Sequence, residues 1–319
     1  MGISQYIKEI GRGKEGARSL NSDQAENLMG LILDGQVSEL ELGAFCLAMR
    51  IKGETPAEMA GFLRAIHARL NFVQHMNFGA SMAKAVVVIP SYNGARKLPL
   101  LTPLLAGLLS KAGFAVLVHG HSSEDQRVTS KALFEALNWQ QIKLGDAASL
   151  NGCDIRFIDT QEISVALTHL LSLRRIIGLR NSAHSLVKLM NPVRSEMPVI
   201  LLSSFTHPEY AISMGETLKI TGQSALLLRG TEGEAVADPR RTPKMLGFTN
   251  GMEVPLQEAT MGSVAGIELP TQIDPQTTAH FIQDVLNGKL PAPQPIEKEV
   301  QAVMALFAFI ETSSLASKS

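Results

Sequence analysis

The stretch "VVVIPSYNGARKLPLLTPLLAGLLSKAG", Val86 to Gly113, decides how this chain is read. Its apolar, β-branched start, Val86-Val87-Val88-Ile89, predicts a strand that ends at Pro90. Asn93-Gly94 and two adjacent cations, Arg96 and Lys97, come next, and then a long apolar helix. A strand that turns on glycine into a helix is where α/β proteins hold phosphate, through main-chain amides and the positive helix end. Here the turn carries one glycine and two cations, where a nucleotide-type loop carries several glycines.

Downstream the same rhythm continues. "FAVLVHG", "DIRFID", "PVILLSS" and "SALLLRG" predict strands, and helices are expected near Thr102–Ala112, near Ser130–Leu137 and over "PEYAISMGETLKITG". Such alternation predicts a mostly parallel sheet covered by helices. Shorter strands are expected near residues 245–269, and "GKLPAPQP" reads as a loop before the last helix. Upstream, three helices are punctuated by Asn21-x-x-Gln24, Ser38-x-x-Glu41 and Thr55-Pro56-Ala57-Glu58, each a capping box. Gly43 and Ala44 are small enough for close contact with a neighbouring helix. The block Ile163–Asn191 is helical and basic, interrupts the alternation, and is expected to pack on the N-terminal bundle. The chain is thus α/β. A helical domain over 1–80, joined by helices from about 165–192, accompanies an α/β domain over 81–164 and 193–319.

The 319 residues suffice for one large or two smaller domains, and 45% hydrophobic with 18% charged residues is an ordinary globular composition. Aromatic content is only 5%, which disfavours recognition by rows of stacked bases. Cys46 and Cys153 lie far apart without metal-ligand spacing and read as reduced, buried thiols of a cytoplasmic protein. No signal-peptide core or membrane-length apolar run is found. Net charge is −1 but segregated: Arg174, Arg175, Arg180, Lys188 and Arg194 follow one another with no acid between them. Lys84, Arg96, Lys97, Lys111, Arg127 and Lys131 face only Glu124 and Asp125, whereas acids dominate after residue 195. That pattern predicts one basic face hidden by the overall balance.

Several blocks together resemble the anthranilate phosphoribosyltransferase family over almost the whole chain: "ILDGQVSELELGAFCLAMRIKGETPAEMAGF", the turn and helix after Ile89, "AGFAVLVHG", "IIGLRNSAHSLVKLMNP" and "ALLLRGTEGE". The resemblance implies a nucleoside phosphorylase / phosphoribosyltransferase-like fold, a substrate cleft at the domain junction and a homodimer formed through the helical domain. It also implies phosphoribosyl pyrophosphate chemistry with magnesium, but four elements depart from the pattern. The family's Gly-Thr-Gly-Gly-Asp loop is Pro90-Ser91-Tyr92-Asn93-Gly94 here, which removes positive-φ freedom and close backbone approach to a diphosphate. Asn-x-Ser-Thr at the helix start becomes Leu100-Leu101-Thr102-Pro103, and Lys-His-Gly-Asn-Arg becomes Val118-His119-Gly120-His121-Ser122. Glu234-Ala235-Val236 stands where the family carries its magnesium-recruiting Asp-Glu pair. A departing pyrophosphate needs its charge neutralised.

What remains resembles a narrower branch, the anthranilate phosphoribosyltransferase-like nucleic-acid-binding proteins, through "VIPSYNGARK", "GLRNSAHSLVKL", "HPEY" and "GTEGE". That resemblance implies a cytoplasmic homodimer binding DNA or RNA with little sequence preference and no resident cofactor. The alternative is an active phosphoribosyltransferase, for which magnesium would be required. The expected phosphate contacts are Asn93, Gly94, Arg96, Lys97, Arg174, Arg175, Arg180 and Lys188, and no catalytic or metal-ligating residue is assigned. Arg96 and Lys97 stand near a helix N-terminus, where the dipole disfavours cations, and an external phosphate would explain them. Arg174 falls where the enzymes place an anthranilate-binding arginine, so a carboxylate is its alternative partner. Tyr92 is a candidate for stacking on a base. His119, His121, His184 and His207 lack a nucleophile–acid motif and read as structural, and Glu232 and Glu234 read as solvated loop acids.

Overall fold

The computed structural model describes residues 2–76, 82–121, 126–143, 149–260, 262 and 268–316. In chain order it begins with α1 (Ser4–Ile10), α2 (Gly13–Gly16), α3 (Ser22–Leu33), α4 (Glu39–Lys52) and α5 (Pro56–His67). Then come β1 (Val73–Met76), β2 (Val86–Ser91), α6 (Thr102–Lys111), β3 (Ala115–Gly120), α7 (Ser130–Ala136), β4 (Gln141–Ile142), β5 (Ser149–Asn151) and β6 (Ile155–Asp159). Three helices follow, α8 (Thr160–Ile163), α9 (Val165–Ile177) and α10 (Ala183–Leu186). The chain closes with β7 (Val193–Arg194), β8 (Val199–Phe205), α11 (Pro208–Thr221), β9 (Ala225–Arg229), β10 (Met245–Thr249), β11 (Met252–Gln257), α12 (Pro275–Leu286) and α13 (Gln294–Ala316).

Two compact units result, Met1–Asn71 with Thr160–Pro192, and Phe72–Asp159 with Val193–Ser319. In the helical unit all three capping boxes form, so each helix starts where its own sequence closes the first turn. Glu58 does more than close its box. Its buried carboxylate also accepts the Leu20 N–H at 2.8 Å and pairs with Lys52 Nζ at 2.7 Å. The close helix contact lies elsewhere than expected. A Cβ at Gly43 would meet nothing within 4 Å, whereas one at Gly61 would collide with the Ser22 carbonyl oxygen. Gly61 is therefore the position that lets α5 approach α3. Asn71 N–H donates to the Ile163 carbonyl and Ser182 Oγ to Glu54 Oε1, tying residues 160–192 to the first five helices. Asn191 N–H donates to His67 Nε2, and burial pushes the His67 imidazolium down to about 4, leaving a neutral ring able to accept.

The second unit holds an eight-stranded sheet in the order β11-β10-β9-β8-β2-β3-β6-β4. It is parallel except for β10, which runs antiparallel to both β9 and β11. A small parallel sheet, β5-β1-β7, accompanies it. Strand β1 falls in a stretch read from sequence as helical domain. Short strands like this carry too few residues to show a period. Val87, Ile89, Val116, Val118, Ile200, Leu202, Leu226 and Leu228 form one buried face with apolar residues of α6, α7, α12 and α13. Helix α11 packs against β8, β9 and β10.

Strand order matters more for function than layer count. From β2 the chain steps through β3 to β6 on one side, whereas β8, β9 and β10 build outward on the other. The direction of winding therefore reverses between β2 and β8, the position where parallel α/β sheets open a crevice beyond the strand carboxyl ends. Pro90 fits this place. Pairing of β2 with β8 stops at Val88↔Leu201, while pairing with β3 continues to Ser91↔Gly120. A proline without an N–H thus costs no bond on the β8 side. The residues 261 and 263–267 of the expected late strands, and Ser122, lie outside the described residues. Among the described residues no helix is long and apolar enough to cross a membrane.

Candidate functional site

The loop after β2 and the turn after β9 meet at this switch point. Gly94 adopts φ +63, and a Cβ there would lie 2.7 Å from the Val128 carbonyl oxygen, so the turn requires glycine. Ala95 and Val128 exchange N–H···O bonds of 2.9 Å, and Arg127 Nη1 donates to the Gly94 carbonyl at 3.1 Å. These contacts fix the loop so that its amides point the same way.

They point at carboxylates of the same chain. Glu234 is 1% exposed, and its Oε1 accepts the N–H groups of Asn93 at 2.6 Å and Gly94 at 2.7 Å. Its Oε2 accepts from Ser91 Oγ at 2.5 Å and from Thr102 Oγ1, at the first residue of α6, at 3.5 Å. Ser130 Oγ, 2.7 Å from Ser91 Oγ, completes the chain of hydroxyls. Glu232 takes the next amides: its carboxylate accepts from Lys97 N–H at 2.8 Å, Leu98 N–H at 3.0 Å and Arg96 N–H at 3.3 Å. Arg127 Nη1 stands 3.7 Å from Glu232 Oε2.

The turn is built to deliver them. Thr231 N–H and Oγ1 bond the Val236 carbonyl, Glu234 N–H bonds the Thr231 carbonyl, and Ser204 Oγ donates to the Gly233 carbonyl. Gly233 at φ +89 runs so close that a Cβ would collide with Asn93 Nδ2. The solvated reading of Glu232 and Glu234 is therefore corrected. Both are anions seated in a nest of amides, and Glu234 lies beside the N-terminus of α6, where negative charge is favoured.

The sequence-predicted residues distribute as follows. Asn93 and Gly94 are buried and spend their amides on Glu234. Arg96 and Lys97 have exposed side chains on the loop of the α/β unit. Their main-chain amides, with that of Leu98, meet the Glu232 carboxylate. Arg174, Arg175, Arg180 and Lys188 lie in the helical unit. Arg174 and Arg175 occupy the last turn of α9, where cations suit the dipole, and Arg175 and Arg180 are exposed while Arg174 and Lys188 are half-buried. Tyr92 does not offer a stacking face: it is buried, with its hydroxyl 2.9 Å from His119 Nδ1 and its ring edge-on to His119 and His121. Burial pushes His119 down to about 3, so its imidazole is neutral. Cys46 is buried and its thiol pushed up to about 11 by desolvation, but Cys153 is half-buried, against expectation. Sequence reasoning missed Arg127, Ser130 and the role of the Thr231–Glu234 turn. The signal available was two glutamates flanking a glycine directly after a strand.

A helical bundle and a mostly parallel sheet in one chain, with the loops at the strand carboxyl ends forming the site, define a phosphoribosyltransferase-like architecture. Comparison with known proteins agrees. Residues 4–69 match the family described as "Glycosyl transferase family, helical bundle domain". Over 319 residues the chain is 40% identical to the "Uncharacterized protein YbiB" of Escherichia coli, covering 99% of this chain and 97% of that protein. It is 25% identical over 315 residues to an anthranilate phosphoribosyltransferase of Symbiobacterium thermophilum, covering 96% and 88%. The solved anthranilate phosphoribosyltransferase from Thermus thermophilus matches with a TM-score of 0.67 at 22% identity, covering 92% of this chain and 85% of that one. The Saccharomyces cerevisiae enzyme, solved in complex with PRPP and Mg, gives 0.66 at 14% identity, covering 96% and 88%. The chain belongs to the anthranilate phosphoribosyltransferase-like family.

Proposed function

We propose that this protein binds DNA or RNA through backbone phosphates, with little dependence on sequence, as a cytoplasmic homodimer, and that it does not transfer phosphoribosyl groups. One observation carries the reading: the buried carboxylate of Glu234 already takes the Asn93 and Gly94 amides and the Ser91 hydroxyl. A diphosphate needs adjacent amide groups for its two phosphates, and the inner group is filled by a negative charge. Magnesium fits no better. Its carboxylate ligands must turn lone pairs to the cation, and here the oxygens of Glu234 and Glu232 face N–H and O–H donors. A single phosphodiester charge is a smaller demand, met by Arg or Lys with a few amides. Arg96 and Lys97 offer such cations, and the acid-free run from Arg174 to Arg194 offers more.

The experiment is a salt-dependent oligonucleotide titration run beside a transfer assay with donor, magnesium and anthranilate. Binding should weaken linearly on a log–log salt plot, with a slope of about −0.7 to −0.9 per phosphate neutralised. Replacing Arg96 and Lys97 by Ala should weaken unrelated sequences alike and reduce that slope, because such contacts read no bases. Turnover near the ~10 per second of an ordinary enzyme would overturn the reading, as would the absence of any salt-sensitive binding.

A further inference from the structure

The two internal carboxylates do not sit alike. Glu234 is enclosed, 1% exposed, with donors on both oxygens. Glu232 lies at the outer end of the same loop with its side chain 16% exposed, and Arg127 beside it is 23% exposed. Its three amide donors belong to Arg96, Lys97 and Leu98, so two of the three are residues whose own side chains are exposed cations. Glu232 also holds φ +52, a left-handed backbone that a residue with a Cβ adopts only at an energetic cost. An energetically unfavourable backbone that places a solvent-accessible carboxylate against three main-chain amides and the Arg127 guanidinium suggests a function for that carboxylate beyond filling space.

We propose that the amides of Arg96, Lys97 and Leu98, with the Arg127 guanidinium, form a seat for a single phosphate oxyanion. Glu232 is its built-in occupant, and the phosphate enters by displacing the Glu232 carboxylate. Three converging amides suit a phosphate as well as a carboxylate, and the guanidinium presents planar donors that match either. The two anions cannot share the seat, because like charges at such spacing repel strongly away from bulk water. The turn would hold the seat closed until a ligand with more charge contacts competes for it. The apparent affinity is then lowered by the fraction of time the seat is free. Glu234 remains in place throughout and keeps the loop shaped, so one phosphate is admitted and a diphosphate is not. The seat stands on geometry alone; only the identity of its physiological phosphate, a phosphodiester strand, rests on the nucleic-acid reading.

The test titrates the full-length protein and its Glu232→Ala and Glu232→Gln variants with inorganic phosphate and, separately, with a single-stranded DNA oligonucleotide. Both variants should bind inorganic phosphate about tenfold tighter than the parent, and adding Arg127→Ala to Glu232→Ala should abolish the gain. Glu258→Gln, which also removes one exposed negative charge, should give no gain. If Glu232→Ala disturbs folding, as circular dichroism would reveal, Glu232→Gln decides, because its uncharged amide oxygen can brace the loop yet holds the N–H groups and the guanidinium less strongly than a carboxylate and yields to phosphate. Unchanged or weaker phosphate binding by the folded variants overturns the proposal, because it would make Glu232 a mere brace of the loop. A gain for phosphate and oligonucleotide alike assigns the seat to a strand. A gain for phosphate without oligonucleotide binding by any form keeps the seat and removes the nucleic-acid reading. Oligonucleotide binding with no gain from either variant does the reverse.

Discussion

The carboxylate of Glu234 lies 2.6 Å from the main-chain nitrogen of Asn93, across 141 positions of sequence. That contact joins the ends of β2 and β9, two strands separated in the sheet by β8. It makes the loop's shape depend on an acid the loop does not contain.

Glu234→Ala should therefore destabilise the protein strongly. Two amides and a hydroxyl would be left buried without their acceptor, and each such loss costs about 1–3 kcal/mol. A total loss of about 3 kcal/mol or more is expected in chemical denaturation, with Glu234→Gln losing less because one oxygen remains. A Glu234→Ala variant as stable as the parent would show that the loop is held by other means.

Two glycines in the helical unit should respond oppositely to the same change. Gly61→Ala places a methyl group against the Ser22 carbonyl, and overpacking of this kind costs about 1–3 kcal/mol. Gly43→Ala meets open space in the protomer and sits inside α4, so better helix propensity should stabilise it by up to about 1 kcal/mol. Denaturation curves of the two variants compare these directly. Equal shifts of the same sign would contradict the packing described for α3 and α5.

Glu299 gives a pH dependence with a definite sign. It is wholly buried on α13, accepts the Ala237 N–H at 2.8 Å through Oε2, and is pushed up from 4.5 to about 8 by desolvation. Between those values the folded state keeps a proton that the unfolded chain releases. Stability from this group is therefore present below pH 4.5 and declines by about 1.4 kcal/mol per pH unit as pH rises toward 8. His67 and His119 act the other way, because their folded values of about 4 and about 3 lie below the ordinary 6.5. Their contribution is present above pH 6.5 and is lost as pH falls. Glu299→Gln retains both histidines, so the stability difference between variant and parent should grow in the variant's favour from about pH 5 to about pH 8. A difference flat with pH would mean that the carboxyl is ionised in the folded protein.

The helical unit leaves apolar side chains in water. Leu40, Leu47 and Ile51 are exposed along α4 at spacings of one helix face, and Val165 and Ile176 are exposed on α9. Glu39, at the first residue of α4, and His169 on α9 approach to 4.0 Å. We expect this surface to close a two-fold homodimer, the commonest symmetric assembly. Leu47→Glu with Ile51→Glu should convert a dimer to a monomer in sedimentation at micromolar concentration, with the helical content kept. A parent protein that sediments as a monomer would refute the assembly outright.

The sequence by itself determined the elements and the architecture. Capping boxes close within three residues and strand runs declare themselves within six, so the three bundle helices, β2, β3, β8, β9 and α11 were legible, and their alternation implied a mostly parallel sheet. Strands of two to four residues, such as β1, β4 and β7, were not, because so short a run carries no period. Sequence also marked the loop before α6, with Asn93-Gly94 and two cations, as a place for an anion to bind. Only the tertiary structure showed that the loop's amides meet carboxylates of the same chain. Strand order brings the turn after β9 onto the loop after β2, and no local pattern records a partner 141 residues away. The same holds for Gly43 and Gly61, alike as letters in two neighbouring helices. One faces open space and the other a carbonyl oxygen, because packing between elements is set by the whole fold and not by the residue.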